Sequence, residues 1–180
     1  MIPILLKVLR TGIVSEAPPA AREEWRTRAS AIQADIVRIL GRALVIRHVD
    51  AGSCNGCELE IHALNNPYYN LEGMGIRFAA SPRHADMLLV TGPVTLNMER
   101  ALRIAYEAMP DPKLVVAVGD CGCDGGIFGQ GCATRGGVAK VLPVDVAVPG
   151  CPPPPVALLQ GILTAIAARA PDNPTHKLAK

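Results

Sequence analysis

The chain has 180 residues, 49% of them hydrophobic and 19% charged, with a formal net charge of +2 and a mean hydropathy of +0.25. That length suits one sizeable core, and a charged share below the usual quarter or so leads us to expect part of the surface to be covered by partners. With so small a net charge and no Lys/Arg stripe interleaved with aromatics, nothing supports nucleic-acid binding.

The chain starts MIPILLKVLRTGI, with Lys7 and Arg10 behind the apolar run. A secretory signal puts its charges first, and no apolar run approaches the ~20 residues that cross a bilayer. The six cysteines are therefore expected in a reducing compartment, where clustered thiols serve metal or redox chemistry more often than disulfides. An exposed apolar start would be unusual, so it is expected to dock on a membrane face or a partner subunit, ahead of the breaker-rich SEAPPAA. From 21 to 41, Trp25, Ala29, Ile32, Ile36 and Leu40 recur every three or four residues and Gly41 follows. This predicts an amphipathic helix that packs on the domain's own core.

Strand and helix signals then alternate. ALVIRHV (43–49), GIRFAAS (75–81), ADMLLVTG (85–92), KLVVAVG (113–119) and VDVAVPG (144–150) read as strands. CELEIHALNN (57–66), TLNMERALRIAYEAM (95–109) and PVALLQGILTAIAARA (155–170) read as helices, the second with Thr95 as candidate N-cap and Met98, Leu102, Ala105 and Met109 on its apolar stripe. Near-continuous apolar strands separated by helices predict an α/β fold, a parallel sheet with helices on both faces. The expected organisation is an N-terminal docking segment and helical extension over 1–41, an α/β domain over 42–170 and a polar tail over 171–180.

In such a sheet the loops after the strands share one edge, where ligands gather. Cys54 and Cys57 follow the first strand in SCNGCE, Cys121 and Cys123 follow the fourth in GDCGCDGG, and Cys151 follows the fifth in PGCPPPP. Four thiolates from three loops, one pair spaced Cys-x-x-Cys, suit a 4Fe-4S cluster or a structural zinc. The single knuckle and the glycines around the cysteines favour the cluster. No G-x-G-x-x-G or Gly-Lys-Ser/Thr loop is present, so nothing points to a nucleotide or another organic cofactor.

SCNGCE, TGPVTLNME, GDCGCDGGIF and PGCPPPP, in that order, resemble the small subunit of membrane-bound nickel–iron hydrogenases of the formate-hydrogenlyase type, a family related to the 20-kDa subunit of complex I. The resemblance covers roughly residues 42–168. It implies a flavodoxin-like fold and one 4Fe-4S cluster on Cys54, Cys57, Cys121 and Cys151, with motif position favouring Cys121 over Cys123. It also implies electron transfer beside the nickel–iron site of a partner large subunit, with a ferredoxin-like iron–sulfur subunit and membrane subunits as further partners, on the cytoplasmic side of the membrane. In the complex I branch the first two ligands are adjacent; here Asn55 and Gly56 separate them, which implies the hydrogenase side. The alternatives are a complex I-like quinone oxidoreductase subunit and a zinc-stabilised interaction module.

The remaining polar residues have plainer readings. Cys132 is expected to be a buried small hydrophobe and His48 a satisfied structural histidine. Glu58, Glu60 and His62 are expected to cap and solvate a short helix rather than line an interface or a proton path. Asp120 and Asp124 are expected to form turns.

Overall fold

A computed structural model describes residues 2–12 and 23–169. The breaker-rich segment 15–21, the Trp25 side chain and the polar tail 171–180 lie outside the described residues. Five parallel strands, β1 (Leu44–Asp50), β2 (Ile76–Phe78), β3 (Met87–Thr91), β4 (Leu114–Val118) and β5 (Val146–Val148), form one sheet in the order β2-β1-β3-β4-β5. This is the flavodoxin-like order, with the connection reversing between β1 and β3.

Alternate residues of the strands feed two cores. Leu44, Ile46, Met87, Leu89, Val116 and Val118 face one side. There they meet α2 (Glu23–Leu40), α3 (Gly56–Ala63) and α6 (Pro155–Ala168) through Ile36, Ile61, Leu158 and Ile162. Leu88, Val90, Val115 and Ala117 face the other, against Leu102 of α4 (Leu96–Glu107) and the segment containing Val138 and Leu142. Because both faces are covered, β3 and β4 are buried at every position, and this is why they read as unbroken apolar runs rather than alternating ones.

The predicted helix at 21–41 is α2. Ile36 lies in the sheet's core, and the Gly41 N–H donates to the Val37 carbonyl at 2.7 Å to close the last turn. The N-terminal extension is helical as α1 (Ile2–Thr11), with Ile4, Leu5, Leu6 and Leu9 exposed. Among the described residues no helix is long and apolar enough to cross a membrane.

Two local expectations are corrected. Thr95 occupies the N-cap position of α4, but its side chain makes no capping hydrogen bond. Its backbone N–H is held by the Ala51 carbonyl at 2.9 Å, and its side chain lies against Gly52 instead. The GDCGC segment, read as a loop, forms a one-turn helix, α5 (Gly119–Cys123). Two glycines in five residues conceal a helix from propensity; packing against β4 and β5 supplies what propensity does not.

Ile162 of α6 is fully buried against the sheet. Ile162→Ala should cost about 2–5 kcal/mol, measured as a shift in the denaturation midpoint at unchanged slope.

Candidate metal centre

Each cysteine-bearing loop is held by its own local chemistry. After β1, the Asp50 carboxylate accepts the N–H groups of Gly52 and Ser53, both at 2.7 Å, and Ser53 Oγ accepts the Asn55 N–H at 3.1 Å. This Asx-type turn sets Cys54 just before α3 and Cys57 in its first turn. After β4 the chain turns at Gly119, φ +78°, into α5 and Cys121. After β5 it reaches Gly150 and Cys151.

The second and third loops are tied together. The Asp120 N–H donates to the Gly150 carbonyl at 2.9 Å, and Asp120 Oδ1 accepts the Gly150 N–H at 2.7 Å. Asp120 thus does more than form a turn. Asp124 is the turn-former expected, accepting the Gly126 N–H at 2.8 Å.

Cys54, Cys57, Cys121 and Cys151 come together. A Cβ on Gly119 would sit 2.7 Å from Cys57 Sγ, and one on Gly126 would sit 3.0 Å from Cys121 Sγ. Glycine at these positions clears the space around the sulfurs, where a side chain would displace them. Burial pushes the Cys57 thiol up to about 12, with Glu58 and then Cys54, Cys121 and Cys151 adding in the same direction. Burial also raises Cys121, followed by Cys151, Cys54, Asp120 and Asp124.

Cys123 stands apart. Burial, Asp120 and Asp124 raise its thiol, and a hydrogen bond with the Val148 backbone opposes them; no other cysteine acts on it. Cys132, expected to be buried, is exposed. It lies in a surface loop held by Thr134, whose Oγ1 donates to the Gly129 carbonyl at 2.7 Å, and no core is available to it there.

The four converging thiols fit a cluster by their donor chemistry and by the glycine-cleared space. Among the described residues no three His, Cys, Asp or Glu side chains converge closely enough for one metal ion. A tetrahedral zinc with bonds of about 2.3 Å to sulfur demands such convergence, whereas a cluster takes one thiolate at each of four separate irons. Cys54 and Cys151 are exposed while Cys57 and Cys121 are half-buried, so the centre lies at the surface. Ile127, 92% exposed, and Phe128, 56% exposed, follow Gly126 beside it.

Glu58 corrects the expectation of a solvated helix residue, being only 7% exposed. It accepts the Thr91 hydroxyl, and His48 Nε2 lies 3.0 Å from Thr91 Oγ1. His48 is the satisfied structural histidine expected, held below its usual pKa by burial against the opposing pull of Glu58. Glu60 is half-buried and His62 exposed. Thr91 went unnoticed in the sequence, although one polar residue closing an otherwise apolar strand was a signal.

For a thiol raised on folding, stability is full below the unfolded value and is lost as pH climbs toward the folded one. The iron-free chain should therefore lose stability between pH 9.0 and about 12 as Cys57 ionises more readily unfolded than folded. In the same window, iodoacetamide followed by mass spectrometry should label Cys132 first and Cys57 last, since the thiolate is the nucleophile.

A family model described as NADH ubiquinone oxidoreductase, 20 Kd subunit, matches residues 54–165. The probable membrane-bound hydrogenase subunit mbhJ of Pyrococcus furiosus is 45% identical over 133 residues, 74% of this chain and 80% of that protein. Formate hydrogenlyase subunit 7 of Escherichia coli is 43% identical over 137 residues, 76% of this chain but only 54% of that protein. A chain of the membrane-bound sulfane sulfur reductase, an archaeal respiratory membrane complex, superposes with a TM-score of 0.64 at 34% identity, covering 77% of this chain and 75% of that one. On a match that spans more than half its length and takes in all four converging cysteines, the chain belongs to the family of the NADH ubiquinone oxidoreductase 20 Kd subunit.

Proposed function

We propose that this chain is the electron-transfer subunit of a membrane-associated hydrogenase complex, carrying one 4Fe-4S cluster on Cys54, Cys57, Cys121 and Cys151 beside the nickel–iron site of a partner large subunit. The observation that carries this reading is the meeting of four thiols from three loops at one sheet edge. Two relatives named as hydrogenase or formate hydrogenlyase subunits, at 45% and 43% identity, support it over a quinone-linked role, as does the two-residue spacer between Cys54 and Cys57. When bound, such a cluster passes one electron at a time and, closed by four thiolates, offers no open iron to a substrate.

The chain's own residues prepare that task. Asp50 and Asp120 fix the three loops so that the thiols do not have to be gathered from a mobile ensemble. Gly119 and Gly126 leave room around the sulfurs. Ile127 and Phe128, exposed beside Cys121, give a large subunit an apolar contact that excludes water from the exposed thiols. A ferredoxin-like subunit supplies or removes electrons in this reading. The chain sits peripherally, on the cytoplasmic side, among membrane subunits.

Anaerobic purification tests the centre. About four irons and four sulfides per chain are expected, retained in Cys123→Ala and lost in Cys121→Ala. A colourless protein holding zinc and no iron overturns the cluster, and quinone reduction without hydrogen evolution by the complex moves the assignment to the complex I-like branch. Ile127→Asp combined with Phe128→Ser should leave the iron content intact while reducing co-purification of the large subunit several-fold.

A further inference from the structure

Glu58 is buried, charged and next in sequence to Cys57, and folding gives it a support that a simple helix residue does not need. Its Oε1 accepts the Thr91 hydroxyl. With that hydrogen committed, Thr91 Oγ1 accepts from His48 Nε2–H at 3.0 Å, and the same imidazole nitrogen lies 3.7 Å from Glu58 Oε1. Thr91 is fully buried and pairs in register with Asp50 of β1 and Val118 of β4. The carboxylate is therefore fixed to the middle of the sheet rather than to a loop.

Glu58 Oε2 is buried with no hydrogen-bond partner among the described residues. A buried carboxylate satisfied on one oxygen only is a cost that an apolar residue of similar size would avoid. His48, the nearest cationic candidate, is held toward its neutral form by burial, so it lends a hydrogen bond rather than a full countercharge. Arg47, Asp50 and His62 are the other charged or titratable groups acting around His48, and none of them forms an ion pair with Glu58 among the described residues.

We propose that Glu58 is a positioning residue that fixes a negative charge beside the Cys57 thiolate and so makes the thiolate-bound centre harder to reduce, with Thr91 and His48 holding the carboxylate in place. This rests on the cluster assignment above. A negative charge held in a low-dielectric site opposes the arrival of an electron nearby, and net charge and burial are among the factors that set the potential of such centres. The triad therefore tunes the driving force between the partners without touching substrate.

The test is an EPR-monitored redox titration of the anaerobically purified complex. Glu58→Gln keeps an oxygen for the Thr91 hydroxyl and removes the charge. Expected are unchanged iron and sulfide content, unchanged g values and at least a tenfold shift of the reduction equilibrium toward the reduced form, about 59 mV for one electron. Glu58→Asp should return most of that shift. Thr91→Val, which keeps the charge but frees the carboxylate to turn toward solvent, should shift the potential in the same direction by less, and it carries the test if Glu58→Gln loses iron. Unchanged potentials in iron-replete Glu58→Gln and Thr91→Val overturn the proposal. A wild-type complex without iron in this subunit overturns the cluster assignment instead, and with it this role for Glu58.

Discussion

All five strands run the same way, so every loop that follows a strand is delivered to one edge of the sheet, and the thiol site depends on that constraint. A parallel sheet requires a crossover after each strand, which separates Cys54 from Cys151 by nearly a hundred residues in sequence while returning both to the same edge. The hydrogen bonds of Asp50 and the paired bonds between Asp120 and Gly150 then convert a shared edge into a shared site. Without them the loops would each be free to splay, and the cost of ordering them would fall on the bound centre.

The electrostatics of the site run against the iron-free chain. Every neighbouring charge that acts on Cys57 and Cys121 disfavours the thiolate, and no cationic side chain is among them. A site that ligates through sulfur anions yet supplies no positive charge of its own is complete only when iron supplies it, which is the usual coupling of metal binding to ligand deprotonation. Glu58 increases the same imbalance.

Apolar surface is left open in two places. Ile127 and Phe128 stand beside the thiols, and Ile4, Leu5, Leu6 and Leu9 line α1 at the other end of the chain's order. Scattered exposed apolar residues need no explanation, but grouped ones mark contact surfaces. The low charged fraction of the sequence finds its structural counterpart here.

Periodicity was enough to read the sheet, its parallel sense and the helix order, because strands buried on both faces leave unbroken apolar runs such as MLLVT and LVVAV. The spacing of SCNGCE, GDCGC and PGCP was enough to place cysteines at the ends of three strands. Which cysteine of the pair 121 and 123 turns inward was not open to spacing; it depends on how α5 sits against β4 and β5. The exposure of Cys132 and the burial of Glu58 were equally hidden, since each follows from contacts made by residues distant in sequence: Thr134 folding back on its loop, and Thr91 reaching Glu58 across 33 positions. Local pattern determined the elements and the chemistry on offer, because both are properties of neighbours in the chain. Tertiary packing alone decided which side chains face the centre and which carboxylate is denied water, because burial is set by neighbours in space.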